Sequence, residues 1–161
     1  MLSLRGDVRH SLAVTIRSMV GPDVPAALVI LRESPEASAW SEASLMESAS
    51  KGAAWTAETG ERIAGFLVGR IAADEFEILN LAVARAHRRC GVGTELVTAA
   101  LGWSRAAGAR QAFLEVRASN TGGIAFYTRL GFVICGRRLK YYQNPVEDAV
   151  RMVLNDSETI P

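Results

Sequence analysis

The chain has 161 residues, of which 49% are hydrophobic and 22% charged. That length is most simply one domain, large enough to bury about two-thirds of the surface its unfolded chain would expose. A formal net charge of +1 leaves no electrostatic footprint for DNA or RNA, and no apolar run approaches the roughly 20 residues of a membrane span.

Residues 1–12 carry arginines but no apolar stretch, so they do not read as a secretory signal. They are expected to form a flexible leader ahead of a single domain over 13–161. Two cysteines, Cys90 and Cys135, provide neither a disulfide framework nor metal-ligand spacing. The expectation is a reduced, cytoplasmic protein without a bound metal, a monomer or weak dimer.

In chain order, Ala13 to Met19 alternates as a first strand does. Gly21-Pro22-Asp23 starts a helix over Val24 to about Arg32, with Pro and Asp in its first turn, and Glu33-Ser34-Pro35 ends it. Ser41 is a good N-cap for a second helix, Glu42 to Ser50. Ala54–Thr56 and Arg62–Ala72 are strand-like and joined by the turn Glu58-Thr59-Gly60-Glu61; Asp74-Glu75 then turns the chain into an apolar central strand, Phe76 to Val83. Leu96, Val97, Ala100, Leu101 and Trp103 recur at helical spacing up to Gly108, a C-cap residue. Gln111–Val116 is a further strand, Asn120–Leu130 a short helix ended by Gly131, and the tail forms strands Phe132–Leu139 and Ala149–Leu154 around Gln143-Asn144-Pro145. The order β-α-α-β-β-β-α-β-α-β-β describes an α/β domain whose mixed sheet carries helices on both faces.

Between the central strand and the third helix lies Arg88-Arg89-Cys90-Gly91-Val92-Gly93, with a helix expected from Gly93 or Thr94. Such a loop suits an anion. Glycines let the backbone approach, consecutive amides can converge on one ligand, and the helix adds the positive end of its dipole. Arg88 and Arg89 add charge and forked donors that match phosphate oxygens. The loop lacks the Gly-Lys-Ser/Thr ending of a Walker A motif and the three glycines of a dinucleotide fingerprint.

This Arg-x-x-Gly-x-Gly loop resembles the acyl-CoA pyrophosphate loop of the GNAT N-acetyltransferases. The likeness narrows at Leu114-Glu115-Val116-Arg117-Ala118-Ser119-Asn120, followed by Ala125-Phe126-Tyr127 and Leu130-Gly131-Phe132. With Trp40-Ser41-Glu42, Asn80-Leu81-Ala82-Val83, Tyr141-Tyr142 and Glu147-Asp148-Ala149, these segments resemble the RimI type of ribosomal-protein-alanine N-acetyltransferases over roughly residues 14–154. Gly122-Gly123 depart from the small helix formers usual after Asn120, and each should cost its helix about 0.5–1 kcal/mol. The fold implied is the acyl-CoA N-acyltransferase fold, with a central sheet of about six to seven strands.

The resemblance implies direct transfer of acetyl from acetyl-CoA, as co-substrate, to the amine of a protein or peptide N-terminus. It assigns Glu115 as general base and Tyr127 as the acid that protonates the departing thiolate. It assigns the backbone of Leu81, Ala82 and Val83 to the thioester carbonyl and pantetheine arm. It assigns Arg88, Arg89, Cys90, Gly91, Val92, Gly93 and Thr94 to the pyrophosphate, and Asn120 to the pantetheine or its phosphate. From the residues alone, Glu115 sits between core positions Leu114 and Val116, so its side chain takes the opposite face from theirs. It could equally be a solvated strand residue, Tyr127 a packed core tyrosine and Asn120 a helix cap. Trp40, Tyr141 and Tyr142 suit an acceptor groove as well as they suit packing, and the lone His87 carries no assignment.

A free α-amine, with a pKa of about 7.7–8.0, needs less help from a carboxylate than a lysine, with a pKa near 10.4. That favours an N-terminal acceptor over a lysine side chain, with a small amine the other enzymatic alternative. A non-catalytic acetyl-CoA-binding module would need the loop but neither Glu115 nor Tyr127.

Overall fold

The described residues, 13–155, of the computed structural model form seven strands, of which the fourth and fifth alternate buried and more exposed positions while the second and third are largely buried. The expected leader lies outside them. The strands are β1 (Val14–Ser18), β2 (Ala54–Thr59), β3 (Arg62–Ala72), β4 (Glu75–Val83), β5 (Gln111–Arg117), β6 (Val133–Tyr142) and β7 (Glu147–Asn155). They form one sheet in the order β1-β2-β3-β4-β5-β7-β6. Four helices accompany it: α1 (Val24–Arg32), α2 (Glu42–Ser50), α3 (Val92–Ala106) and α4 (Thr121–Arg129). The succession of strands and helices is the one expected; boundaries differ by a few residues, as where β2 continues to Thr59 and leaves Gly60-Glu61 as the turn.

The sheet is antiparallel except where β4 and β5 run parallel, connected through α3. Each face carries its own core. Leu96, Val97, Ala100 and Leu101 of α3 pack with Leu67, Phe76, Leu114 and Tyr127. On the other face Val24, Ala27 and Ile30 of α1 and Leu45 of α2 meet Phe66, Val68 and Ala82. Burying each Leu, Val or Phe contributes about 1.5–3 kcal/mol, so the two cores fix both helical layers. Gly69 leaves room for the Phe76 ring, since a Cβ there would lie 2.4 Å from the ring atoms.

The feature that creates a site is a register shift. Val68 faces Asn80 but Gly69 faces Ile78, so Leu79 is an extra residue in β4. A bulge of this kind bends its strand and sharpens its twist. On the other edge of β4 the parallel ladder with β5 stops at the same place, with Ile78 opposite Leu114 as its last pair. Beyond it the two strands part.

Candidate active site

The parting of β4 from β5 opens a cavity of about 190 Å³, lined on one side by Ile78 to Val83 and on the other by Leu114, Glu115 and Val116. Asn120, Gly123, Phe126 and Tyr127 close its far wall, and Ser34, Glu36, Ala37 and Ser38 form its rim. Leu81, Ala82 and Val83 also line a larger outer groove of about 760 Å³, together with Arg88, Arg89, Gly91, Val92, Gly93 and Thr94. One stretch of strand therefore serves two adjoining spaces. Its other edge is tied to β3 through Leu81–Leu67, Ala82–Phe66 and Val83–Gly65, so the edge left by β5 is held rigid while its backbone groups are freed from a ladder.

The groove is floored by a short loop built for close backbone approach. A 3-10 turn, Arg85–His87, leads to Arg88; Arg89 and Gly91 then take left-handed backbone conformations, at φ 59° and 82°. Gly91 is the N-cap of α3, and no side chain caps the helix there. Glycine is needed at 91 for its conformation, since a Cβ would meet nothing within 4 Å. At Gly93 the reason is packing, because a Cβ would press the Phe126 ring at 3.2 Å. The helix begins at Val92, one or two residues earlier than expected, because Gly91 turns the chain on entry. The uncapped first turn leaves amides at the positive end of a 15-residue helix dipole.

The two arginines separate in role. Arg89 lines the groove, is exposed, and makes no hydrogen bond or ion pair among the described residues. Arg88 also borders the groove, but Nε and Nη2 of the fork that the sequence offered to phosphate are already engaged. Its Nε donates to the Val83 carbonyl at 3.1 Å, and one terminal nitrogen donates to the Glu33 carbonyl at 2.8 Å and the Ser34 hydroxyl at 3.2 Å. Cys90 is not part of the groove lining; it is exposed, with its thiol 3.4 Å from the Arg88 carbonyl.

Glu115 lies on β5 with its side chain only 10% exposed, and its Oε1 forms an ion pair with Arg138 Nε of β6 at 2.7 Å. The Tyr141 phenol also hydrogen-bonds to this carboxylate, which holds Tyr141 above the usual tyrosine range. Tyr127 is buried, with its ring edge-on to Phe126 and Phe132 at 5.0 and 5.6 Å. Burial, and to a lesser degree Tyr142 nearby, pushes its ionisation well above the usual tyrosine value. Tyr142 borders the cavity beneath the Arg117 guanidinium, 4.4 Å from its ring centre, and burial pushes its pKa up to about 12. Asn120 caps α4, its Oδ1 accepting from the Gly123 amide at 2.8 Å.

Glu115, Tyr127, Asn120 and Leu81–Val83 thus surround one cavity. Sequence reasoning missed the rim, Ser34 to Ser38, along with Phe126, Asn80 and Arg138. The rim is a connection without periodicity, and nothing local signals that it folds over β4. Asn80 offered a faint signal, a polar residue inside an apolar strand: it is buried and donates to the Ser38 carbonyl at 2.9 Å. Trp40 packs against the α1–α2 core instead of lining the cavity. Among the described residues no group of His, Cys, Asp or Glu side chains could hold a metal, and no helix is long and apolar enough to cross a membrane.

Known proteins share this architecture. The chain is 32% identical over 143 residues to the [ribosomal protein bS18]-alanine N-acetyltransferase of Escherichia coli K12, a match covering 87% of this chain and 96% of that one. A crystal structure of the E. coli ribosomal-protein-S18-alanine N-acetyltransferase superposes with a TM-score of 0.76 at 31% identity, covering 89% of this chain and 94% of the other. Ard1 from Thermoplasma volcanium superposes with a TM-score of 0.82 at 29% identity, over 89% and 97% of the two chains. The model of the acetyltransferase (GNAT) family matches residues 25–132, and this chain belongs to that family.

Proposed function

We propose that this acetyltransferase moves acetyl from acetyl-CoA to the α-amine of a protein N-terminus, with an alanine-start ribosomal protein of the small subunit as the acceptor. One observation carries the reading: Glu115 and Tyr127 border the same cavity, where β4 has lost its β5 partner. The E. coli relative named for alanine of bS18 supports the acceptor class.

In this mechanism the pyrophosphate lies on the amides of the 88–94 loop and the uncapped first turn of α3, with Arg89 supplying charge. The pantetheine arm runs along Leu81–Val83 beside Asn120, and the thioester carbonyl accepts from backbone amides freed on β4. Glu115, directly or through water, takes a proton from the acceptor ammonium. The neutral amine attacks the carbonyl carbon, the nitrogen's second proton passes to solvent, and the tetrahedral oxyanion collapses to the amide with cleavage of the C–S bond. CoA thiolate leaves, with the Tyr127 phenol as the acid that hydrogen-bonds the sulfur while negative charge develops on it. A tyrosine above its ordinary value stays protonated at neutral pH, ready to donate. Full transfer to a thiolate is uphill for a phenol whose ionisation burial has raised, so the phenol contributes mainly as a strong hydrogen bond in the transition state.

The test is to incubate the protein with acetyl-CoA and peptides that vary at residue one, following free CoA thiol and locating the acetyl group by mass spectrometry. Acetylation of the α-amine of alanine-start peptides, with little on lysine, is expected. Transfer only to lysine side chains or small amines would overturn the acceptor assignment. Binding of CoA without transfer to any amine would overturn the catalytic one.

A further inference from the structure

We infer that Arg88 is a positioning residue that couples the two sides of the site: its guanidinium clasps the Glu33–Ser38 rim to the base of the anion loop. A ligand seated on the loop then tightens the rim over the inner cavity. The inference rests on reading the outer groove as the acyl-CoA site.

Arg88 is where the chain leaves the 3-10 turn and enters the loop. Its three acceptors are two backbone carbonyls and one hydroxyl, with no carboxylate partner among the described residues. The Val83 carbonyl ends β4, while the Glu33 carbonyl sits at the C-terminal end of α1, where helix carbonyls lack partners and the dipole is negative. A planar fork spanning both ends fixes their separation in a way that a point charge would not. Ser34 is prepared to accept: it is buried, and its own hydroxyl proton goes to the Ile30 carbonyl at 2.8 Å.

Two further tethers reach the same segment from the same side. Asn80 of β4 donates to the Ser38 carbonyl, and the Arg85 amide approaches the Glu33 carboxylate at 3.4 Å. Ser34, Glu36, Ala37 and Ser38 of this segment border the same cavity as Glu115. Its placement is thus set by β4 and the loop that follows. Arg88 is the tether whose own backbone belongs to the anion loop, so ordering of the loop is transmitted to the rim through one side chain. Coupling between binding sites is reciprocal, so an acceptor that presses on the rim would in turn favour the loop conformation that holds CoA.

The experiment is amide hydrogen exchange on the full chain with and without saturating CoA, alongside calorimetric CoA affinities, for wild type, Arg88→Ala and Ser34→Ala. CoA should slow exchange across residues 33–38 by about fivefold or more in the wild type, the lower end of typical coupling. In Arg88→Ala that slowing should vanish while CoA affinity stays within about threefold, well under one tenfold step of 1.4 kcal/mol. Ser34→Ala leaves the loop untouched and should lose part of the slowing, which keeps the test alive if Arg88→Ala folds poorly. Slowing that is absent in the wild type, or that survives in Arg88→Ala, overturns the inference. A tenfold or greater loss of CoA affinity in Arg88→Ala also overturns it, since the guanidinium would then be serving the phosphates. Failure of the wild type to bind CoA would refute the reading of the groove, and the coupling with it.

Discussion

Arg138 Nε lies 2.7 Å from Glu115 Oε1, joining the middle of β5 to the exposed edge strand β6 across the intervening β7. The Tyr141 phenol is a second partner of the same carboxylate, which also borders the cavity. Arg138 is half-exposed, so the ion pair contributes little to stability, and its consequence is orientation. Glu115→Gln should lower kcat/KM by about 10²–10⁴, the usual range for a general base, most strongly at low pH and with the KM for acetyl-CoA little changed. Arg138→Ala should cost roughly tenfold or less, as expected for a misplaced group still present. Steady-state kinetics over a pH series separates the two, and an unaltered pH profile in Glu115→Gln would remove it from the role of base.

The Tyr127 hydroxyl makes no hydrogen bond among the described residues, and its ring is held by Phe126 and Phe132. Tyr127→Phe should therefore leave the melting temperature nearly unchanged while lowering kcat by roughly 10–100-fold, below the full range for acid catalysis because thiolate is a tolerable leaving group. Because burial raises the pKa of this phenol, the neutral form persists above the ordinary tyrosine value. A wild-type kcat that fell off between about pH 8 and 10 by loss of the Tyr127 proton, given an unperturbed value near 10, would contradict that placement.

Arg17 of β1 holds Asp23 through two hydrogen bonds of 2.8 Å and Glu58 of β2 at 2.9 Å, and both carboxyls are thereby kept below their ordinary values. Folded pKa values lower than unfolded ones stabilise the protein above about pH 4, near the unfolded carboxylate values. That stabilisation fades as pH falls through the folded values. Arg17→Met leaves the buried Asp23 carboxylate without its partner and should cost about 1–3 kcal/mol at pH 7. Urea unfolding at pH 7 and pH 3 should show the wild-type advantage shrinking in acid. A difference independent of pH would mean that the arginine acts by packing alone.

The paired glycines of α4 should respond oppositely to alanine. At Gly122 a Cβ would have only Asn120 Oδ1 near it, at 4.0 Å, so Gly122→Ala should stabilise by about 0.5–1 kcal/mol. At Gly123 a Cβ would fall 2.6 Å from Asn120 Nδ2 and displace the capping side chain, forfeiting about 0.5–2 kcal/mol. Thermal melts should rank Gly122→Ala above wild type, with Gly123→Ala at or below it. Equal stabilisation by both would mean that the Asn120 cap contributes nothing.

Much of this protein was legible from sequence because its signals are local. Alternation in β4 and β5, the helical repeat in α3 and the Ser41 and Asn120 caps all depend on residues within a turn or two of each other, so short-range sterics and burial suffice to set them. The turn at the 88–93 loop was visible for the same reason, since Gly91 needs a left-handed backbone whatever surrounds it. What tertiary structure alone decided was where side chains of uncommitted geometry would end. Arg88 could turn toward the groove or toward α1, and its partner at Glu33 lies 55 residues away. Glu115 meets Arg138 only because β7 pairs with both β5 and β6. The cavity itself depends on one extra residue at Leu79, whose effect exists only once β3 has set the register on one side and β5 has run out of pairing on the other. Pairing between strands far apart in the chain is a property of the whole sheet, and no window of sequence contains it.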